Sequence, residues 1–581
     1  MRLDGNDLYQ MVKTGSVLVK NNRAYLNDIN FFPVPDGDTG NNLVYTMNLI
    51  AVEAIPNDSF HKTLDSISET AMLSARGNSG VIFAQFLNGM FKSSKDYETV
   101  GVNEFASLAY GSVDYVYKSI SNPVEGTIIT VLREWANFLN TNKEKYNNIK
   151  EFLVDSYHYA KECLEKTKTT LQILKKNKVV DSGAMGFVLF LEGFNKYLNN
   201  ETVDEVQSPV DLIIDEHVYD ENILYRYCTE GLFEQNANLD NLKTELETLG
   251  DSLIILEGKK YSRIHIHTNN PEIVFDKLDD YGNILTQKVD DMLLEVNSRN
   301  HKHEIAIVTD SIADIDKEFA LENNIFVIPT NIIINSVSYI DKFTINNEIL
   351  FEKIKNSKEY PTTSVPEIKY INNLFSKLLL QYKKIIVLTV ASKLSSTYNV
   401  INDIASKLND KGNDITVIDS LNNSASEGLL VYQLVKMRNR GLSKDAMIMT
   451  INEIKKKTKI LVCLDTFKYA TLSGRVPKII GKIGMLLKIR PIMSLDATGA
   501  GTAFGFALSK KGITKKIMKL VKKDDISEWS LVHCENTELV NEYKTLFTSI
   551  IKKEPSFISE LSSATAIHSG KKSVAIAYIK K

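Results

Sequence analysis

The sequence predicts a multidomain protein of mixed class: a helical N-terminal region, a small α+β domain, and a C-terminal α/β domain. Three observations predict it. In residues 1–200 apolar residues recur at three- and four-residue steps, as in Leu8, Met11 and Val12, or Val81, Phe83, Phe86 and Leu87, which is the spacing of one helix face. From about residue 208 the pattern changes. Short β-rich segments at 212–214, 252–256 and 263–267 alternate with polar helix-like runs, outlining a domain over 208–297. The polar stretch NSRNHKHE (297–304) reads as a linker. Beyond it, over 304–581, the runs IAIVTD, FVIPTNIII, KIIVLTVA, DITVIDS and KILVCLD alternate with helical patterns. That alternation predicts α/β units around a mostly parallel sheet.

The 581 residues leave room for several domains, and 43% hydrophobic with 24% charged residues is ordinary for a globular protein. A net charge of −3 implies no basic face for nucleic acid. Four scattered cysteines without a CxxC pair fit a reducing compartment. The polar start MRLDGNDLYQ does not read as a signal peptide, and no apolar run approaches the roughly 18 residues of a membrane span. The expected location is cytoplasmic.

The breaks between helices of the first region carry chemistry. They are PVPDGDTG, ARGNSG, SNPVEGT and VVDSGAMG, each with glycine beside Asp, Asn, Ser or Thr. In PDGDTGNN, Asp36 and Asp38 stand two apart just before a helical pattern. Two carboxylates plus phosphate oxygens satisfy Mg²⁺, and a helix start aims N–H groups at phosphate. Helix punctuation alone is the competing reading. An EF-hand is excluded, because Met47 stands where the closing Glu is required. No GxxxxGK[ST] occurs, and the glycines Gly499 and Gly501 lead to Phe504, so no dinucleotide fingerprint is present.

The stretches NFFPVPDGDTGNN, SARGNSGVIFAQF, PVEGTIITVLRE and VVDSGAMG, in this order, resemble the ATP-binding domain of the dihydroxyacetone-kinase type and, more closely, the kinase component of bacterial fatty acid kinase. The resemblance implies an antiparallel helix barrel with Mg-nucleotide at one end. It implies Asp36 and Asp38 as magnesium ligands, with Asn30 a third at a place where a related kinase has an acid. It implies Thr39, Asn42, Asn78, Ser79, Gly80, Gly126 and Thr127 around nucleotide and phosphates, and Asp181 and Gly183 near the adenosine. Asn41 and Leu43 replace the family's usual Thr and Met beside Asn42.

In RIHIHT, His265 and His267 lie two apart in a β-like run and so share one face. With a thiolate such as Cys228 of YRYCTEG they would suit zinc. A hydrogen-bonded histidine pair and a buried structural cysteine fit the same residues. The middle domain of fatty acid kinase has similar YCTE and HVHT stretches, and the resemblance implies zinc on Cys228, His265 and His267, and a lid role if this domain packs over the ATP site. His301 and His303 read as solvated linker residues.

The run 304–581 resembles a complete DegV-family fatty-acid-binding protein through IAIVTDSIADI, YPTTSVPEI, ASKLSSTYN, TVIDS, LSGRVPKIIGKIGMLLKIRPI and AIHSG. From the residues alone, Thr363 and Ser395 are hydroxyl donors of the kind a buried carboxylate needs, and capping of helices is the favoured reading. The resemblance implies that Thr363 and Ser395 hydrogen-bond a fatty acid carboxyl with His568 nearby. It implies that Arg475 stabilises the head-group loop or developing phosphate charge, and that an apolar tunnel takes the acyl chain. The aliphatic run 483–489 reads as tunnel wall or as core. Val365, Glu367 and Ser396 depart from the family's TSQPS and LSGT, and HSGKK departs from its usual turn after the histidine.

Together the resemblances imply one chain that phosphorylates a fatty acid held by its own C-terminal domain, giving acyl phosphate and ADP for phospholipid synthesis. Its cofactors would be ATP and Mg²⁺, with zinc in the middle domain. Its partners would be an acyl-phosphate acyltransferase and a second copy in a homodimer. The alternatives are a lipid-binding regulator with an inactive kinase half, or a kinase of a small hydroxyketone such as dihydroxyacetone.

Overall fold

The computed structural model describes residues 1–205, 223–299 and 303–581. The segment 212–214 and His301 therefore lie outside the described residues. The chain divides into two compact units, Met1–Val296 and Asn297–Lys581.

The first unit begins with ten α-helices: α1 (Gly5–Asn21), α2 (Arg23–Asp28), α3 (Thr39–Glu53), α4 (Phe60–Ser74), α5 (Gly77–Ser93), α6 (Val102–Ser119), α7 (Ile128–Asn142), α8 (Ile149–Thr170), α9 (Gln172–Asn177) and α10 (Ser182–Leu198). Their starts follow local chemistry. Asp4 caps α1 in a reciprocal box with Asp7, Asn148 caps α8, and Asp181 caps α10. Neighbouring helices pack in the order α1, α3, α4, α5, α6, α7, α8, α10 and back to α1, so the ring closes. Its interior is aromatic. Trp135, Phe86, Phe187, Phe83 and Phe190 are buried and meet edge to face, with Phe83 and Phe190 centroids 4.8 Å apart.

A four-stranded antiparallel sheet follows: β1 (Tyr227–Gln235), β2 (Gly250–Glu257), β3 (Tyr261–Thr268) and β4 (Gly282–Asp291), in the order β2-β3-β1-β4. Helices α11 (Leu242–Glu247) and α12 (Pro271–Leu278) accompany it. One face is apolar under α12, where Gly231 leaves room for Phe275 and Leu278. The sheet also joins the helical core. Ile254 and Leu256 belong to its buried cluster, and Ser121 N–H donates to Leu253 O at 3.0 Å. Helix α13 (Met292–Arg299) ends the region. The expected linker thus starts inside a helix: Met292 and Val296 pack against Val34 and Cys228, which draws this polar-looking stretch into regular structure.

The second unit holds three sheets. Strands β5 (Ile305–Asp310), β6 (Ile325–Ile328), β10 (Lys384–Thr389) and β11 (Ile415–Asp419) form a parallel sheet in the order β11-β10-β5-β6. Strands β7 (Asn331–Ile334), β8 (Val337–Ile340) and β9 (Thr362–Ser364) form a small antiparallel one, ordered β8-β7-β9. The third contains β12 (Thr458–Cys463), β13 (Arg490–Leu495), β14 (Gly501–Ala507), β15 (Ile526–His533), β16 (Ile558–Glu560) and β17 (Val574–Lys580), ordered β14-β13-β12-β17-β15-β16. All its pairings but β15-β16 are antiparallel.

Two expectations are corrected here. KILVCLD enters the antiparallel sheet, not the parallel one, because its partners β13 and β17 run against it. FVIPTNIII is two strands in two sheets, split around Pro329 and Thr330, where proline cannot donate to a ladder. No described helix is long and apolar enough to cross a membrane.

Candidate functional site

The loop before α3 is built around Asn30. Its buried side chain donates to Val34 O at 2.9 Å and to Asp36 Oδ1 at 2.8 Å, and it accepts from the Thr39 hydroxyl. Gly37 takes φ +61°, which lets the chain turn sharply between Asp36 and Asp38. Both acids are half-buried, and Asp38 stands at the N-cap of α3.

Three further helix starts are tied to this loop. Gly77 opens α5 at φ +60°, and a Cβ there would lie 2.4 Å from Asn42 Nδ2 of α3. A Cβ on Gly80 would lie 2.7 Å from the hydroxyl oxygen of Thr46, also on α3. Asn78, Ser79 and Gly80 form the first turn of α5, whose N–H groups have no partner within the helix. Ser79 in turn meets α10, since a Cβ on Gly183 would lie 2.5 Å from its hydroxyl. Asp181 links α10 to α7: its carboxylate accepts Ala184 N–H at 2.8 Å and also bonds the Ile128 backbone. Burial pushes Asp181 up to about 7, and those two N–H groups pull against the rise. Thr127 is the N-cap of α7, and Gly126 before it takes φ +89° with its N–H on Thr130. The first turns of α3, α5, α7 and α10 therefore form a continuous chain of contacts, and the candidate residues of all four sequence breaks lie on it.

The polar face of the sheet carries the second cluster. Register places Cys228 opposite His267 and Asp290, and Glu230 opposite His265 and Lys288, so the alternate residues of β1, β3 and β4 share one face. Cys228, His265 and His267 are buried, and their ligand atoms all lie within 4.8 Å of one another. Cys228 Sγ is 3.9 Å from His265 Nδ1, and His265 Nε2 is buried without a hydrogen-bond partner. Asp251 stands 3.5 Å from His267 Nδ1, an outer carboxylate of the kind that orients a ligating imidazole. Burial and then Glu230 raise the Cys228 thiol, and burial lowers His267. The fields of Cys228, His267 and Lys288 all include Asp38, and Val34 packs on Cys228. The two sets of candidate residues are thus neighbours, although nearly two hundred positions separate them in sequence.

Sequence reasoning missed what lies between them. Glu230 is 2% exposed and accepts the Gly77 N–H at 2.9 Å. Arg263 donates to Met72 O at 3.1 Å and Leu73 O at 2.8 Å, at the end of α4. Lys288 pairs with Asp290 at 2.5 Å and with Glu230 at 3.5 Å. Burial opposes the charge on Glu230, but Lys288, His265 and Arg263 outweigh it and hold the carboxylate far below its usual range. The available signal was the two-residue period: Glu230 follows Cys228 by two, Arg263 precedes His265 by two, and Lys288 and Asp290 repeat the step.

In the second unit Thr363 is exposed on β9, opposite Ile332. It caps no helix. Ser395 follows β10; its hydroxyl accepts Thr397 N–H at 3.2 Å and meets the Thr397 hydroxyl at 2.8 Å, at the start of helix Thr397–Asn409. His568 lies in the short helix Ser563–Ser569, with Nδ1 buried and unpartnered. Burial first, and the charge of Arg475 second, lower His568 to about 4, so Arg475 and His568 are neighbours. Among the described residues no hydrogen bond joins Thr363, Ser395 and His568 to one another.

The aliphatic run 483–489 is not core. Helix Lys478–Leu486 packs its glycines against Thr471 and Phe467 and leaves Ile483 52% and Leu486 82% exposed. Also missed was a group of buried acids, Asp310, Asp314, Asp341 and Glu427. Asp310 accepts Val390 N–H, which anchors the loop carrying Ser395. Asp314 and Asp341 accept Ser562 N–H and Ala564 N–H, which anchors the helix carrying His568. Burial raises all four, Asp310 to about 7 and Asp314 to about 6.

Comparison with known families matches residues 33–196 to the DAK2 domain, 224–299 to the FakA-like middle domain of fatty acid kinase, and 304–581 to the DegV family. An uncharacterised protein of Staphylococcus saprophyticus is 33% identical over 335 residues, which is 54% of this chain and 60% of that protein. Protein YloV of Bacillus subtilis is 32% identical over 311 residues, 50% of this chain and 56% of its own length. The chain thus spans less than two thirds of these relatives. A fatty-acid-binding DegV-family protein from Thermus thermophilus superposes with a TM-score of 0.43 at 20% identity, over 48% of this chain and all of its own. A stearic-acid-binding protein from Eubacterium ventriosum does so with 0.44 at 21% identity, over 48% of this chain and 98% of its own.

Proposed function

We propose that this chain, which carries a DAK2 domain, a FakA-like middle domain and a DegV-family domain, is a fatty acid kinase that brings its own lipid carrier. The observation that carries the reading is the chain of helix starts around Asp36 and Asp38, in the same polypeptide as a DegV-family region.

Asp36 and Asp38 offer hard oxygen donors on a tight turn, a fit for magnesium. Magnesium held there with ATP would supply neutralisation of phosphate charge. Asn30 spends both ends of its amide inside the protein, so its role is to hold the loop. The N–H groups of Asn78, Ser79 and Gly80, with the Ser79 hydroxyl, would hold phosphate oxygens, and Thr39 and Asn42 would keep α3 against them. Asp181, Gly183, Gly126 and Thr127 shape the neighbouring wall. Cys228, His265 and His267 offer one thiol sulfur and two imidazoles within reach of one another, a donor set that would suit zinc. Zinc bound there supplies a fixed positive charge beside the nucleotide loop.

In the second unit Thr363, Ser395 and His568 are the donors assigned to the acyl carboxylate, and Arg475 the cation assigned to its developing phosphate. The carboxylate is ionised at neutral pH and needs no general base. Its oxygen forms a bond to the γ-phosphorus as the bond from that phosphorus to the β-bridging oxygen breaks, and ADP leaves. Positioning and charge complementarity do the catalytic work. Sharing one polypeptide raises the carrier's effective concentration, to roughly millimolar for a short flexible connection.

The test is direct. Full-length protein with Mg-ATP, oleate and hydroxylamine yields acyl hydroxamate. A protein that binds nucleotide and co-purifies with lipid but forms no hydroxamate is the binding-only regulator instead. ADP release with dihydroxyacetone but not with oleate establishes the hydroxyketone kinase.

A further inference from the structure

The carboxylate of Glu230 touches both halves of the first unit's site. Its Oε1 accepts the Gly77 N–H at 2.9 Å, 153 positions earlier in the chain, and the same oxygen lies 3.9 Å from His265 Nδ1. Oε2 is 3.5 Å from Arg263 Nη1. Arg263 in turn grips the last carbonyls of α4 through Met72 and Leu73. The carboxylate is therefore clamped between the end of α4 and the start of α5, on the sheet face that bears the cysteine and histidines.

We propose that Glu230 is a positioning residue that couples occupation of the Cys228–His265–His267 cluster to nucleotide binding at the first turn of α5. The proposal rests on the zinc and nucleotide reading above. Gly77 is the point of transmission. Its left-handed backbone and its contact with Asn42 leave no slack, so a shift of its N–H moves Asn42 and with it the helix that begins at Asp38. Lys288 keeps Glu230 from swinging away, since it pairs with both Glu230 and Asp290, the sheet neighbour of Cys228. A cation at the cluster fixes His265 and adds positive charge within reach of Glu230. It thereby stiffens the bond to Gly77 and holds the phosphate-facing turn in place. Coupling of this kind is reciprocal, and values of about 5- to 150-fold are typical.

Two affinities are to be measured on the full chain: Mg-ADP by calorimetry, with and without zinc, and zinc alone by competition with a chromophoric chelator, with and without Mg-ADP. In the wild type zinc tightens Mg-ADP about tenfold, and Mg-ADP tightens zinc by the same factor. In Glu230→Ala the factor falls towards one. Glu230→Gln keeps an acceptor for Gly77 and keeps more of the coupling; it also serves if the alanine variant does not fold. Equal coupling in wild type and both variants overturns the proposal, as does a wild type that binds both ligands independently. A protein that binds Mg-ADP but no zinc overturns it together with the zinc assignment. One that binds zinc but no nucleotide overturns it together with the kinase reading.

Discussion

The two units solve the same problem, gathering distant residues into one place, by opposite means. In the first unit glycines bring helix starts together, and a buried carboxylate ties one of them to a sheet. In the second, four buried acids stake down loops and a short helix from inside, and among the described residues no hydrogen bond joins the residues assigned to ligand to one another. The first arrangement rests on close backbone approach, so side-chain volume disrupts it. The second rests on buried ionisable groups, so pH acts on it.

Changes of side-chain volume should therefore tell most in the first unit. Phe83→Ala removes a fully buried ring of the aromatic interior and should cost that unit about 4 kcal/mol. Hydrogen exchange followed by mass spectrometry should show faster opening in Ser182–Leu198 and no change in Val574–Lys580; matched acceleration in both would show that the units open together. Asp38→Ala should lower hydroxamate formation about a hundredfold or more. Full activity in that variant would sink the magnesium assignment.

The pH response should separate the units. Asp310 and Asp314, raised to about 7 and about 6, bind more protons folded than unfolded between pH ~4 and 7. Their contribution to stability is therefore lost as pH rises through that window. His568, lowered to about 4, works in the opposite sense between pH ~4 and 6.5. With Asp341 and Glu427 also raised, the acids prevail, and the second unit should lose ~2 kcal/mol between pH 5 and 7.5. In the first unit Asp181, raised to about 7, acts in the same sense, while His267, lowered by burial, opposes it in this window and Glu230 titrates below it, so the shift there should be smaller. A larger shift in the first unit, read by urea unfolding of the segments named above, would refute the contrast.

Gly77→Ala should cost about 2 kcal/mol and weaken Mg-ADP, because its φ is +60° and Asn42 fills the space a Cβ needs. Gly412→Ala, at φ +90° with open space around it, should cost about 1 kcal/mol and leave both ligands' binding unchanged. Equal costs would mean that Gly77 is an ordinary turn. Lys259→Ala removes a surface pair with Asp65 and should change stability by less than about 1 kcal/mol.

How much was legible in the sequence follows from the same contrast. Periodicity marked the helices, and Gly beside Asp, Asn or Ser marked the four breaks that meet in the first unit. The i, i+2 spacing of His265 and His267 placed them on one face. Glu230 and Lys288 obeyed that same spacing but were passed over, since an isolated Glu or Lys in a strand reads as solvated until its neighbours are known. Asp310, Asp314, Asp341 and Glu427 left even less trace. The linker reading at 297–304 missed the helix in which that stretch starts, and the core reading of 483–489 fell, because local polarity and apolarity do not say what packs against them.

Local spacing and backbone sterics set where helices and strands form, which turns demand glycine, and which side chains carry metal- and phosphate-binding chemistry, so the linear chain already held these. Long-range packing alone made neighbours of the Asp36–Asp38 loop and the Cys228–His265–His267 cluster, joined them through a buried glutamate, and ran β12 antiparallel to its partners. Those facts depend on strand register and on burial between segments far apart in the chain.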